Sequence, residues 1–426
     1  MVESAVQLGT FAAGGAIAAN EFRAVLPRGV VQFIDRFNSV KRPDGETRYW
    51  KPDLTVYEHN VAIANDAKPD AKGLHAHQGK TLLTLENSHY SVTEDPLTGQ
   101  HRIQHPTRPD AYQPALKHNG NGAWQTELDQ PLTWDQATLL RRIGPDMQRF
   151  SPIERERILS ISGCHENALR KMHVNAEQVP PLLADTLKRF KIDQDLQIFI
   201  ERIGSDRPDQ YLQADPVTQL ELLCDYGEWP ADKGLRLLDA TGDTAWERVR
   251  DHQVVVQINQ AQLDDGDLIK TLLHHLDKSD ARSLRRDLAT LAAEKRETLF
   301  SERYRKIEQG ARPLVQRIID SEPGLPTSLA EALLDSASAE ERQQLERGTL
   351  SKRLTGLAQE AGLQVRVSRA YEGFDLHSTR NNLDTDRLAL HTLERLPGWS
   401  GQLRLEIRQY THTGPLIDSI GESDAP

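Results

Sequence analysis

The chain has 426 residues, enough for two or three domains, with 38% hydrophobic, 27% charged and only 6% aromatic side chains. Its 63 acidic against 52 basic residues leave a formal net charge of −11, which argues against nonspecific binding to DNA or anionic lipid as the main activity, so no nucleic-acid partner is expected. Two well-separated cysteines, Cys164 and Cys224, exclude a disulfide framework or a zinc cluster built from cysteine alone, and both are read as reduced packing residues.

In chain order, the first segment, 1–39, is apolar. Its opening carries acid rather than a basic n-region, so no classical signal peptide is read there. The run AVQLGTFAAGGAIAA (5–19) is shorter than the ~20 residues of a spanning helix and is rich in small residues; it fits a buried helix, and it is the candidate for membrane contact. A mixed, β-rich module follows over 40–131. Asp44-Gly45 ahead of ETRYW predicts a hairpin, and KTLLTL, HYSV and HRIQHP predict a small antiparallel sheet with turn chemistry in TEDPLTGQ.

From 132 to 226 apolar residues recur at helical spacing. Ser151-Pro152 with Glu154 is a helix start, and Pro180-Pro181 opens a long helix that ends near Gly204. The segment 227–262 reads as a β-hairpin, LRLLD and TAWERV, with VVVQI as a third strand and a β-branched core. The segment 263–360 is helical, with Ser328 as a cap of one helix. The last, 361–426, reads as strand (363–374), helix (384–396) and two further strands, an α/β segment leading toward missing repeats, and the chain stops as if cut from a longer protein. The fold class is therefore α+β and multi-lobed, small antiparallel β modules separated by helical arrays. The Arg-rich strings 141–149 and 283–288 read as solvated helix faces because acids flank them.

Candidate chemistry is sparse. His75 and His77 alternate on a strand and, with His89, His101 or His105, have the donors for a metal, but a site needs a third ligand and a second shell, so hydrogen-bonded histidines are favoured. The Asp264–Asp267 string lacks the terminal Glu of a calcium loop. No phosphate loop, nucleophile elbow or paired-histidine zinc motif occurs, and neither a catalytic residue nor a metal or other cofactor is assigned. The candidate binding loop is HNGNGAW, with His118, Asn119, Asn121 and Trp124. Its Asn-Gly-Asn-Gly run favours left-handed backbone. Two readings fit: a loop that presents backbone amides to a ligand, and a tight loop pinned by the indole. The second is favoured.

Long strings carry a resemblance. ETRYWKPDLTVY, GQHRIQHPTRPDAYQP, LKHNGNGAWQTELDQPLTW, LADTLKRFKIDQDLQIFI, LRLLDATGDTAW, SRAYEGFDLHS and DTDRLALHTLERLPGWSGQLRLEIRQ are similar to a central region of very large bacterial secreted toxin or effector proteins. Those proteins carry a dermonecrotic-toxin-like N-terminal domain, leucine-rich repeats and a C-terminal NEL-type ubiquitin ligase domain. The resemblance runs from about Val40 onward. It implies a parent that acts as a ubiquitin–protein transferase on host proteins, delivered into the host cell or its surroundings, with a ubiquitin-conjugating enzyme and host proteins as partners. The family's nucleophile is a C-terminal cysteine, whereas Cys224 lies in LLCDYGEWP, so no catalytic residue is carried over. The expectation is a non-catalytic scaffold, translocation or partner-binding segment. The alternative is a Cys/His-dependent hydrolase or transferase module within it.

Overall fold

The computed structural model describes residues 38–41, 47–50 and 53–421, with interruptions at 64–68, 71, 86–87, 121, 228, 252, 277, 381, 400–403 and 410–412. The run 5–19 and Asn121 lie outside the described residues. Contacts gather the chain into two compact units, Met1–Arg155 with His165–Val179, and Glu156–Cys164 with Pro180–Pro426. The architecture is α+β, with small sheets separated by helices.

In the first unit, β1 (Asn38–Lys41) and β2 (Thr47–Trp50) pair antiparallel, and the Asp44-Gly45 string read as their turn lies outside the described residues. A six-stranded antiparallel meander follows in sequence order: β3 (Leu74–His77), β4 (Lys80–Leu85), β5 (Ser88–Glu94), β6 (His101–Ile103), β7 (Ala115–His118) and β8 (Trp124–Thr126). Its turns follow from their residues. Gln78 and Gly79, with φ of 48° and 76°, close the two-residue link between β3 and β4, the left-handed pair whose twist suits a hairpin. Asp95 accepts the Leu97 amide at 2.9 Å and so folds the turn between β5 and β6. Alternation at period two puts Leu83, Tyr90, Val92, Ile103, Leu116 and Trp124 in one core, closed by Tyr57 and Leu74.

Four α-helices follow in the chain before the long one. α1 (Gln136–Arg141) starts at Asp135, whose carboxylate accepts the Thr138 amide at 2.8 Å; α2 (Pro145–Gln148) starts at a proline. α3 (Pro152–Ile161) begins as predicted: the Ser151 amide donates to Glu154 Oε2 at 2.7 Å, and the Glu154 amide donates back to Ser151 Oγ at 3.3 Å. α4 is Glu166–Asn175. The 141–149 string is not a simple solvated face. Arg142 is largely buried, paired with Asp129 at 2.6 Å and lying over the Trp134 ring at 5.1 Å.

The second unit is built on α5 (Pro181–Ile203), the helix predicted from Pro180-Pro181, which ends at Gly204. α6 (Pro208–Tyr211) and α7 (Pro216–Asp225) lead into a three-stranded sheet of β9 (Lys233–Leu238), β10 (Thr244–Arg248) and β11 (Val254–Asn259). β9 is central, antiparallel to β10 and parallel to β11. The expected β-branched core is reduced to Ile258, buried with Leu235 and Leu237, because Val254 and Val255 are exposed. Then come α8 (Leu268–Leu272), α9 (Ala281–Glu294), α10 (Arg296–Glu308), α11 (Pro313–Ser321), α12 (Thr327–Asp335), α13 (Ala339–Glu346), α14 (Lys352–Asp375) and α15 (Leu383–Leu393). The antiparallel pair β12 (Leu405–Arg408) and β13 (Leu416–Ile420) closes the described chain.

Three further sequence expectations give way here. Residues 363–374, read as a strand, belong to α14. Val365 and Val367 alternate over too short a window. Over the longer one, Leu354, Ala358, Ala361, Val365, Ser368 and Glu372 are buried at spacings of four and three, and Ser351 caps the start by accepting the Leu354 amide at 3.0 Å. Ser328 is not a cap: α12 begins at Thr327, and the Ser328 hydroxyl donates to the Pro181 carbonyl at 3.0 Å. Arg285, in the 283–288 string, is buried, paired with Asp267 at 2.5 Å with its guanidinium 3.8 Å from the centre of the Tyr211 ring.

The helices meet over an apolar core of Val315, Ile318, Ala330, Leu345, Leu354 and Val365 among others. Beside it runs a polar seam. The buried Asp185 of α5 accepts from the Tyr304 hydroxyl at 2.6 Å and from Arg369; Glu372 accepts from Arg369 at 2.8 Å and from Arg189 Nε at 2.7 Å. The Arg189 guanidinium sits 4.8 Å from the Phe300 and Tyr304 ring centres. Every charge of this quartet has an opposite neighbour, the condition under which buried ions are tolerated. Burial first, and the Asp185 carboxylate beside it, hold the Tyr304 phenol well above its ordinary value, so it serves as a neutral donor.

Removing one member strands the others. Glu372→Ala, which leaves Arg189 without its carboxylate, should destabilise the protein by about 3–5 kcal/mol in urea unfolding, whereas Arg189→Met combined with Glu372→Met should cost clearly less than the single change. Gly373→Ala should also destabilise, by about 1–3 kcal/mol, because its Cβ would lie 2.0 Å from Thr385 Oγ1 where α15 crosses α14.

Candidate functional site

The loop 118–124 joins β7 to β8, and period two puts His118, Trp124 and His101 on the core face of the meander. The Trp124 indole is almost fully buried and donates to the Lys72 carbonyl at 2.7 Å. The rings of His101 and His118 lie 4.6 Å from it, centre to centre. Asn119 is a clamp: its side-chain amide donates to the Ile143 carbonyl at 2.6 Å, its Oδ1 accepts the Ala123 amide at 3.0 Å, and its own amide donates to the Ala123 carbonyl at 3.0 Å. Gly120 and Gly122 both have φ of 76°, as the Asn-Gly-Asn-Gly string requires. Gly73 has no room for a side chain, since a Cβ there would lie 2.3 Å from the Gly122 carbonyl oxygen.

These contacts decide what the loop can do. The amides of Gly120 and Gly122 point at His118, at 3.3 Å from Nδ1 and 3.1 Å from Nε2, and the Ala123 amide is held by Asn119. Donors committed inside the loop are not offered to a ligand. A neutral imidazole accepts at one nitrogen only, and an imidazolium at neither, so the ring is compatible with this loop only when uncharged. Burial, followed by the positive charges of Lys72 and His101, accordingly holds His118 below its ordinary value. Of the predicted residues, the structure brings His118, Asn119 and Trp124 together in a tight turn, and Asn121 lies outside the described residues.

The other histidines do not converge. His89 Nδ1 meets Thr84 Oγ1 at 2.9 Å, His101 faces the Gly99 carbonyl at 3.1 Å and Glu94 at 3.2 Å, and His105 accepts the amides of Thr107 and Arg108 at 3.2 Å. Among the described residues no group of three or more His, Cys, Asp or Glu is placed to hold a metal. Cys224 is half-buried near the end of α7; burial, then the neighbouring Asp225, push its thiol up to about 11, so it is protonated at neutral pH and a poor nucleophile. Cys164 is half-buried in the turn after α3, its amide directed to the Leu159 carbonyl at 3.3 Å.

Sequence reasoning missed a cleft of about 560 Å³ in the second unit, bounded by the end of α7, the first residue of β9, His275, Leu276 and Lys278, and one face of α9. Leu223, Leu276, Leu284, Leu288 and Leu291 give it an apolar lining. Lys233, Lys278, Asp287 and Glu294 supply the charge, and Tyr226, His275 and Thr290 also contribute. Only the face of α9, Leu284, Leu288 and Leu291, was legible, and that pattern is equally the signature of a buried stripe. Lys233 is fixed by its backbone: its carbonyl accepts the Trp229 indole N–H at 2.9 Å, and its amide donates to the Pro230 carbonyl at 3.1 Å. Burial, then Lys233 and His274, hold His275 below its ordinary value.

No protein-family profile matches the chain, and no curated protein or solved structure matches it.

The His118 turn has a pH signature. A histidine whose folded value lies below its unfolded one adds stability fully above the unfolded value, near 6.5, and loses it as pH falls toward the folded value. His59 and His173 in the same unit are shifted the same way, each by burial first. Stability should therefore drop between pH 7 and 5, and amide hydrogen exchange at Gly122, corrected for its intrinsic pH dependence, should quicken over that range. His118→Gln should flatten the Gly122 response, and an unchanged response would locate the titration elsewhere.

Proposed function

We propose that this chain is a non-catalytic segment, a scaffold, translocation or partner-binding region, of a secreted toxin-like effector whose parent type transfers ubiquitin to host proteins. The resemblance of its long strings to the central region of such proteins motivates the reading. The observation that supports the non-catalytic part is the state of Cys224, whose thiol burial and Asp225 keep protonated at neutral pH. The candidate loop supports it too, because Asn119 holds the Ala123 amide and His118 holds one of the two glycine amides, which leaves no paired set of free amides for a ligand. In this role the host protein is a partner of the segment, and the ubiquitin-conjugating enzyme a partner of the parent's ligase domain.

The test is ubiquitin discharge. Incubated with a ubiquitin-charged conjugating enzyme, the 426-residue chain should release no ubiquitin above the enzyme-free control, and Cys164→Ala and Cys224→Ala should behave identically. Discharge that disappears with either substitution would overturn the proposal and place a nucleophile in this segment.

A further inference from the structure

We propose that the cleft between α7, β9 and α9 is a binding site for a small anionic amphiphile, with an apolar tail on the leucine floor and a single acidic head at the Lys233 ammonium. Three observations carry this. The volume, about 560 Å³, lies in the range of sites for small organic ligands. The lining leucines come from three places in the chain: Leu223 from α7, Leu276 after α8, and Leu284, Leu288 and Leu291 from α9. Leu223, Leu284 and Leu288 are packed into the core beneath, and half-buried Leu276 and Leu291 give the apolar surface that a hydrocarbon tail would cover favourably.

The third observation fixes the sign of the head group. Lys233 is half-buried at the cleft wall, and among the described residues its ammonium meets only the His275 carbonyl oxygen, at a long 3.4 Å. A part-buried ammonium without a carboxylate gains strongly from an incoming anion, because a charge-assisted hydrogen bond forms where water is already partly excluded. The acids of the cleft do not take this role. Asp287 lies 3.9 Å from Lys278 with its side chain 61% exposed, and Glu294 is exposed a further two turns along α9. Backbone contacts through Trp229 and Pro230 fix the main chain at Lys233, and the His275 carbonyl is the contact that its ammonium makes among the described residues.

A carboxylate and a phosphate head share this chemistry, and the experiment separates them. The intact chain is titrated calorimetrically with octanoate, octyl phosphate, octan-1-ol and octylammonium. One molecule of octanoate or octyl phosphate should bind, whichever is tighter naming the head group, and both should bind more tightly than the alcohol or the amine. Lys233→Met should weaken the acid about tenfold, the loss of one charge-assisted hydrogen bond, and leave octan-1-ol unchanged, whereas Lys233→Arg should retain binding. Thr290→Trp, at an exposed position on the wall, should block all four ligands without lowering the unfolding temperature. The proposal is overturned if none of the ligands binds, if alcohol or amine matches the acids, or if Lys233→Met leaves octanoate affinity unaltered.

Discussion

The second unit depends on one constraint: α5 carries charge on a face that is buried. Asp185, Arg189 and Asp193 follow one another at spacings of four, so they form a single stripe, and all three are largely shielded from water. A helix of this kind is stable only if its neighbours bring opposite charges to fixed places. α10 brings Tyr304 and Arg296, and α14 brings Arg369 and Glu372. Ser378, just after α14, donates its amide to Asp193 at 2.8 Å. Lys188 extends the pattern to Glu308, whose other oxygen accepts the Thr327 amide at 2.6 Å and so sets where α12 begins. Apolar packing alone tolerates sliding of one helix along another; this seam does not, because a slip of one turn would leave several buried charges unpaired.

The first unit is specified differently. Its meander is local in sequence, each strand pairing with the next, and short turns with left-handed residues set the register. The bond between the Trp124 indole and the Lys72 carbonyl, together with the Gly73–Gly122 approach, ties the last link of the sheet to the first. The same device that makes the 118–124 string conspicuous in the sequence therefore has a mechanical purpose: a glycine where two backbones approach, an asparagine that holds the Ala123 amide and a histidine that accepts a glycine amide. Conspicuous turn chemistry is not in itself a binding site.

The amino-acid sequence by itself determined the α+β class, the starts of α3 and α5, the middle strands β4, β5 and β6 of the meander with the turn between β5 and β6, and the residues that favour left-handed backbone at 118–124. These are local consequences: a cap, a proline at a first turn or a period of two acts within a few residues, and needs no distant partner. It did not determine the helix over 363–374, where two valines suggested a strand and the four-three spacing becomes visible only with the preceding turns. Nor did it determine the buried state of Arg142 and Arg285. Their carboxylate partners Asp129 and Asp267 lie 13 and 18 positions away, and flanking acids mimic an exposed helix face. Tertiary structure alone decided the cleft, since its lining is assembled from three places in the chain, and that Lys233 meets no carboxylate among the described residues is a fact about space. A charge is paired or unpaired only once the chain around it is folded.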